Sequence, residues 1–74
     1  HFLDHEMPHQ SLSDREFDVL KMISSGKTVS EIAESLSLSV NTISTYRARI
    51  LEKMNMRTNA ELTHYSISNN IIDS

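Results

Sequence analysis

The sequence predicts an all-α domain of four helices, and three observations carry the prediction. A hydroxyl residue is followed three positions later by glutamate at Ser13–Glu16, Thr28–Glu31 and Thr58–Glu61, and Ser39 supplies a fourth hydroxyl start. The first backbone N–H groups of a helix lack partners; the hydroxyl satisfies one, and the glutamate reaches back to the cap. Apolar residues recur at helical spacing after each start, and no segment alternates at period two for long enough to make a strand.

Each helix has a legible start, face and stop. The first is expected over about 13–25, with Leu12 and Phe17 placed as a hydrophobic staple. Val19, Leu20 and Ile23 share its inner side, and Gly26 suits a left-handed stop. The second, about 29–36, turns Ile32 and Leu36 inward, with small Ala33 beside them to admit a crossing helix. The third, about 40–54, has Leu38 and Ile43 as its staple and an inner stripe of Ile43, Ile50 and Met54, flanked by Tyr46 and Arg47. Asn55 can end it, because Asn tolerates left-handed backbone better than other residues with a side chain. The fourth, about 58–69, points Leu62, Tyr65 and Ser66 together and ends near Asn70.

Seventy-four residues make one small domain with a modest core. The absence of Cys excludes disulfide staples, thiolate zinc sites and Cys nucleophiles. No apolar run approaches a membrane span. The start, HFLDHEMPHQ, lacks the basic end and apolar stretch of a signal peptide, so a cytoplasmic location is expected. Residues 1–11 are polar and aperiodic and read as a flexible linker, with the folded unit over 12–72 and a tail at 73–74. His5 and His9 lie four apart, but with no helix to fix them they read as solvated side chains and not as a metal site. There is no Gly-rich phosphate loop, no paired carboxylates in a plausible pocket and no nucleophile elbow, so neither catalysis nor a cofactor is expected. Asp14, Glu16 and Asp18 are ordinary partners for a helix N-terminus.

The net charge of −3 is unevenly spread. Residues 39–57 carry Arg47, Arg49, Lys53 and Arg57 against Glu52, a local +3 between two acidic stretches. Local charge decides whether a surface can meet phosphates. Only Ser37, Leu38 and Ser39 join the second and third helices, which is the spacing of a helix-turn-helix. The side of the third helix opposite its core stripe shows Asn41, Ser44, Thr45, Ala48, Arg49 and Glu52. Short polar side chains near the helix start suit a helix lying in the DNA major groove. Hydroxyls and amides can bond base edges, and an alanine methyl can touch a thymine methyl. Any amphipathic helix has a polar outer side, so this face alone does not decide the matter. Ser44 and Thr45, however, are poor helix formers placed mid-helix with no packing reason.

The run LSDREFDVLKMISSGKTVSEIAESLSLSVNTISTYRARILEKMNM resembles the LuxR/FixJ/NarL-type DNA-binding domain. It is similar to the effector half of a bacterial two-component response regulator, and STYRARILEKM is most similar to the GacA/UvrY group. The resemblance covers 12–72. It rests on Leu12, Ser13, Glu16, Val19, Leu20 and Gly26, then Glu31, Ile32, Ala33 and Leu36. It continues through Ser39, Thr42, Ile43, Ile50 and Met54 to Glu61, Tyr65, Ile71 and Ile72. It implies transcription regulation through double-stranded DNA. Ser44, Thr45, Ala48 and Arg49 would stand at base edges, and Thr28, Asn41, Thr42, Tyr46, Arg47 and Lys53 at or near the DNA backbone. It also implies a homodimer through the fourth helix, where Ala60, His64, Ile67 and Ile71 form a second, outward stripe unless Ile71 instead packs the C-terminus back on the core, and a receiver domain outside this chain. The sequence departs from the family where Gly usually stands, at Ser37, Asn55 and Asn70. It also carries hydroxyls at Ser44 and Thr45 where many members have Lys or Arg.

Two other readings stay open at this point. A sigma-factor-like promoter-binding domain uses a similar helix-turn-helix, although the fourth helix with Tyr65 and Ile71-Ile72 argues against it. A helical protein-interaction module with little DNA binding would suit the net negative charge and the outward stripe. Convergence of Arg47, Arg49, Lys53 and Arg57 separates these from the DNA reading.

Overall fold

The computed structural model describes residues 8–72. A short 3₁₀ turn, Pro8–Ser11, leads into α1 (Asp14–Ser24), α2 (Val29–Leu36), α3 (Val40–Met54) and α4 (Asn59–Ser68), and no strand occurs among the described residues. The caps set these boundaries. Ser13, Thr28 and Thr58 each accept from the backbone N–H of the glutamate three residues on, and each of those glutamates accepts from the cap's own N–H at 2.8 to 3.0 Å. Ser39 caps α3 through the Thr42 N–H at 3.1 Å.

All four helices stop in the same way. Gly26, Ser37, Asn55 and Asn70 adopt φ of 96°, 57°, 56° and 58°. After each, the next residue's N–H reaches back five positions: Lys27 to Met22, Leu38 to Ala33, Met56 to Leu51 and Ile71 to Ser66. This is the Schellman arrangement, in which the residue after the left-handed one tends to fold back onto the helix. Leu38, Met56 and Ile71 are apolar and pack on the core. Gly26 and Asn55 stop their helices as expected. Ser37 does so at a steric cost, having neither the freedom of Gly nor the local bonding of Asn.

The core is Val19, Leu20 and Ile23 of α1, Ile32 and Ala33 of α2, Ile43, Ile50 and Met54 of α3, and Leu62 of α4. The helix α1 is central, packing against the other three. Two serines join its end to α4: Ser24 Oγ lies 2.7 Å from Ser66 Oγ and donates to the Leu62 carbonyl at 3.3 Å. Both serines are buried, and this pair satisfies their hydroxyls, which burial requires.

Three expectations need correction. The linker expected over 1–11 does not extend to residue 8. Pro8–Ser11 forms the 3₁₀ turn, which packs against α3; residues 1–7, His5 among them, lie outside the described residues, as do residues 73–74. His9 is not simply solvated, because its Nδ1 lies 2.7 Å from the Tyr65 hydroxyl and its ring packs against Phe17 and Tyr65. Ile71 does not continue the outward stripe of α4. As the residue after left-handed Asn70, it turns back and packs on the core.

Candidate nucleic-acid interface

The turn that joins α2 to α3 is tight because α2 ends on left-handed Ser37 and α3 begins with its cap at Ser39. Leu38, between them, is drawn into the core. This anchors the start of α3 and fixes which of its sides looks outward. Inward go Ile43 and Ile50, both fully buried, and Met54. Outward go Asn41, Ser44, Thr45, Ala48, Arg49 and Glu52, all exposed.

The outward side chains are nearly idle within the fold. Thr45 Oγ1 donates to the Asn41 carbonyl one turn back at 3.1 Å. Among the described residues, the Asn41, Ser44, Arg49 and Glu52 side chains make no hydrogen bond or ion pair. Val40, 47% exposed at the first position of α3, is a bulky apolar residue beside this face that the sequence reading did not single out.

The flanking residues are more engaged. Thr42 is half-buried and its hydroxyl lies 2.9 Å from Ser39 Oγ. Tyr46 is half-buried against the core. Thr28 is exposed, with its hydroxyl oxygen holding the start of α2. Arg47 Nε donates to Asn59 Oδ1 at 2.7 Å, tying α3 to the first residue of α4. Asn59 was not among the expected site residues.

Lys53 requires a correction. It is expected near the DNA backbone, but its ammonium sits 2.7 Å from Glu16 Oε1. Glu16, only 3% exposed, is the capping glutamate of α1, and one carboxylate oxygen serves both roles. Burial works to raise its pKa. The Lys53 ammonium and the Ser13 bonds outweigh burial and hold the carboxyl below its ordinary value. The four cations therefore do not act as one cluster, which on the convergence criterion weakens the DNA reading and leaves it to the outward face of α3. About 100° of rotation per residue puts Arg47 and Lys53 on opposite flanks of α3. Lys53 is paired with Glu16, and the charge of Arg57 acts on the Glu61 carboxylate, while Arg47 and Arg49 form no ion pair among the described residues. Two cations without an acidic partner, Arg47 and Arg49, remain on α3.

On α4, Ala60, His64 and Ile67 are exposed on one side, Ile67 by 38%. Among the described residues no group of three His, Asp or Glu side chains could hold a metal. None of the described helices is long and apolar enough to cross a membrane.

Residues 10–66 match the family described as "Bacterial regulatory proteins, luxR family". The response regulator UvrY of Escherichia coli K12 is 41% identical over 69 residues, which cover 93% of this chain and 32% of UvrY. The response regulator GacA of Pseudomonas aeruginosa is 36% identical over 70 residues, or 95% of this chain and 33% of GacA. The transcriptional regulatory protein LiaR of Bacillus subtilis is 32% identical over 73 residues, or 99% of this chain and 35% of LiaR. The chain thus spans about a third of the length of the relatives it matches.

Proposed function

The chain belongs to the luxR family of bacterial regulatory proteins, as a helix-turn-helix DNA-binding domain of transcription regulators, and on that premise we propose that it reads duplex DNA by laying α3 in the major groove. The observation that carries this reading is the outward side of α3, where short, exposed and largely unbonded side chains lie beside uncompensated arginines. Ser44, Thr45, Ala48 and Arg49 meet base edges, with Arg49 able to bond guanine in two places and Ala48 able to touch a thymine methyl. Thr28, Asn41, Thr42, Tyr46 and Arg47 lie along the backbone. The free N–H groups and positive dipole end of α3, which has no acidic residue in its first turn, add to phosphate attraction there. Few cations act, so binding is modest in affinity and shallow in its dependence on salt.

Pairing with a second copy runs through Ala60, His64 and Ile67 of α4, and two paired domains place two α3 helices on successive half-sites. The relatives are response regulators about three times as long as the stretch they share with this chain, which supports the role of output domain beside a receiver. Phosphorylation of that receiver would then control pairing.

Selection of bound duplexes from a randomised pool tests this reading. Recovery of a defined motif, whose preference changes in Thr45→Ala and Arg49→Ala proteins, supports it. Recovery of no motif, with both variants indistinguishable from the parent, overturns it in favour of a protein-interaction module.

A further inference from the structure

We infer that Asn59 is a positioning residue for DNA binding: it holds the Arg47 guanidinium in place for a backbone phosphate without cancelling its charge. The inference deepens the reading above and rests on it. Arg47 and Lys53 flank α3 on opposite sides, and the structure treats them differently. The Lys53 ammonium lies 2.7 Å from a carboxylate and is neutralised there. Arg47 Nε lies 2.7 Å from an amide oxygen, which is neutral. A guanidinium has five donors in a rigid planar fork. Asn59 takes the inner one, and the terminal nitrogens of Arg47 make no hydrogen bond or ion pair among the described residues. That leaves the paired outer donors, which match a phosphate, facing away from the anchor.

A long, mobile cation normally loses rotamer freedom when it binds a phosphate, which weakens binding. Anchoring at Nε removes much of that cost beforehand. A carboxylate at position 59 would hold Arg47 equally well but would cancel the charge that attracts phosphate. Asparagine supplies the grip alone. It does so from the first position of α4, where Thr58 caps the helix and the Asn59 carbonyl accepts from Thr63 Oγ1 at 3.0 Å. The backbone that carries the anchor is therefore itself fixed.

The test is a double-substitution cycle, read as affinity for a short mixed-sequence duplex over a range of salt concentrations. Arg47→Ala should weaken binding and lower the salt slope by about 1. Asn59→Ala should weaken binding by roughly three- to tenfold, the scale of one hydrogen bond. In the Arg47→Ala background, Asn59→Ala should change nothing further. Asn59→Asp should lower the salt slope as Arg47→Ala does, although Arg47 remains held. Equal losses from Asn59→Ala in both backgrounds would make Asn59 merely a residue of α4 and overturn the inference, while leaving Arg47 at the DNA. Unchanged binding by Arg47→Ala would remove Arg47 from the interface, and the inference with it. Circular dichroism melts of each variant separate these outcomes from loss of fold.

Discussion

The two sides of α3 are built on opposite principles. Inward, Ile43, Ile50 and Met54 are almost wholly removed from water on the helix that packs against α1 and α2. Outward, Asn41, Ser44 and Arg49 offer hydrogen-bonding groups that the fold leaves unused. One side uses its chemistry on folding, and the other leaves it unbonded within the fold, as the proposed DNA contact requires. Substitutions on the two sides should therefore separate into stability effects and binding effects.

The largest effect is expected inside. Ile50→Ala removes a fully buried side chain and should cost about 2–5 kcal/mol in urea or thermal unfolding. Any loss of DNA binding should follow only the fraction unfolded. Arg49→Ala should reverse the pattern. Affinity for a selected duplex falls by roughly 1–3 kcal/mol if Arg49 reads a base, while the unfolding midpoint stays put. Either substitution moving both quantities independently would break the division.

Acid titration sharpens the comparison at the flank. The Glu16 carboxyl is held low by Lys53 and Ser13 against the opposing effect of burial. A depressed carboxyl contributes stability above its unfolded pKa, and that contribution is lost as pH falls through the lower folded value. Stability should thus decline as pH drops below about 4.3, and Glu16→Gln should make this decline shallower. At neutral pH the same variant should lose about 1 kcal/mol, a figure kept low because Lys53 is partly exposed. Glu31 and Glu61, also held low by backbone N–H groups, should leave part of the acid limb in place.

The smallest effect is a gain. Ser37 sits at φ 57° in the turn before α3. Ser37→Gly should raise stability by up to about 1 kcal/mol through relief of left-handed strain, as read in urea unfolding. Unchanged or lower stability would mean that the added freedom of the unfolded chain offsets the relief.

Much of this fold was legible in the sequence because its information is local. A hydroxyl and a glutamate three residues apart mark a start wherever the rest of the chain lies, and the apolar stripes of α1 to α3 follow from helical period alone. Long-range pairings were not legible. Glu16 reads correctly as a capping residue, and nothing local shows that the same oxygen also binds Lys53, 37 positions on. His9 looks like part of a loose tail until Tyr65, 56 positions away, is brought beside it. Helical period already puts Ser66 on the inner side of α4 with Leu62 and Tyr65, but nothing local shows that its partner is Ser24, across on α1. Ile71 could have been placed, since Leu38, Met56 and Ile71 share one position after a left-handed residue. On the candidate interface, the outward side of α3 emerged directly from its period. Asn59 did not, because its role depends on where α4 begins relative to Arg47.

The central claim is that the idle side of α3 is a DNA-binding surface, and an amide NMR titration with short mixed-sequence duplex at low salt tests it most directly. The account predicts shifts concentrated in residues 39–53 and at the start of α2, strongest at Asn41, Ser44, Thr45, Ala48 and Arg49. An absence of shifts at millimolar duplex, or shifts confined to α4 around His64 and Ile67, would contradict it.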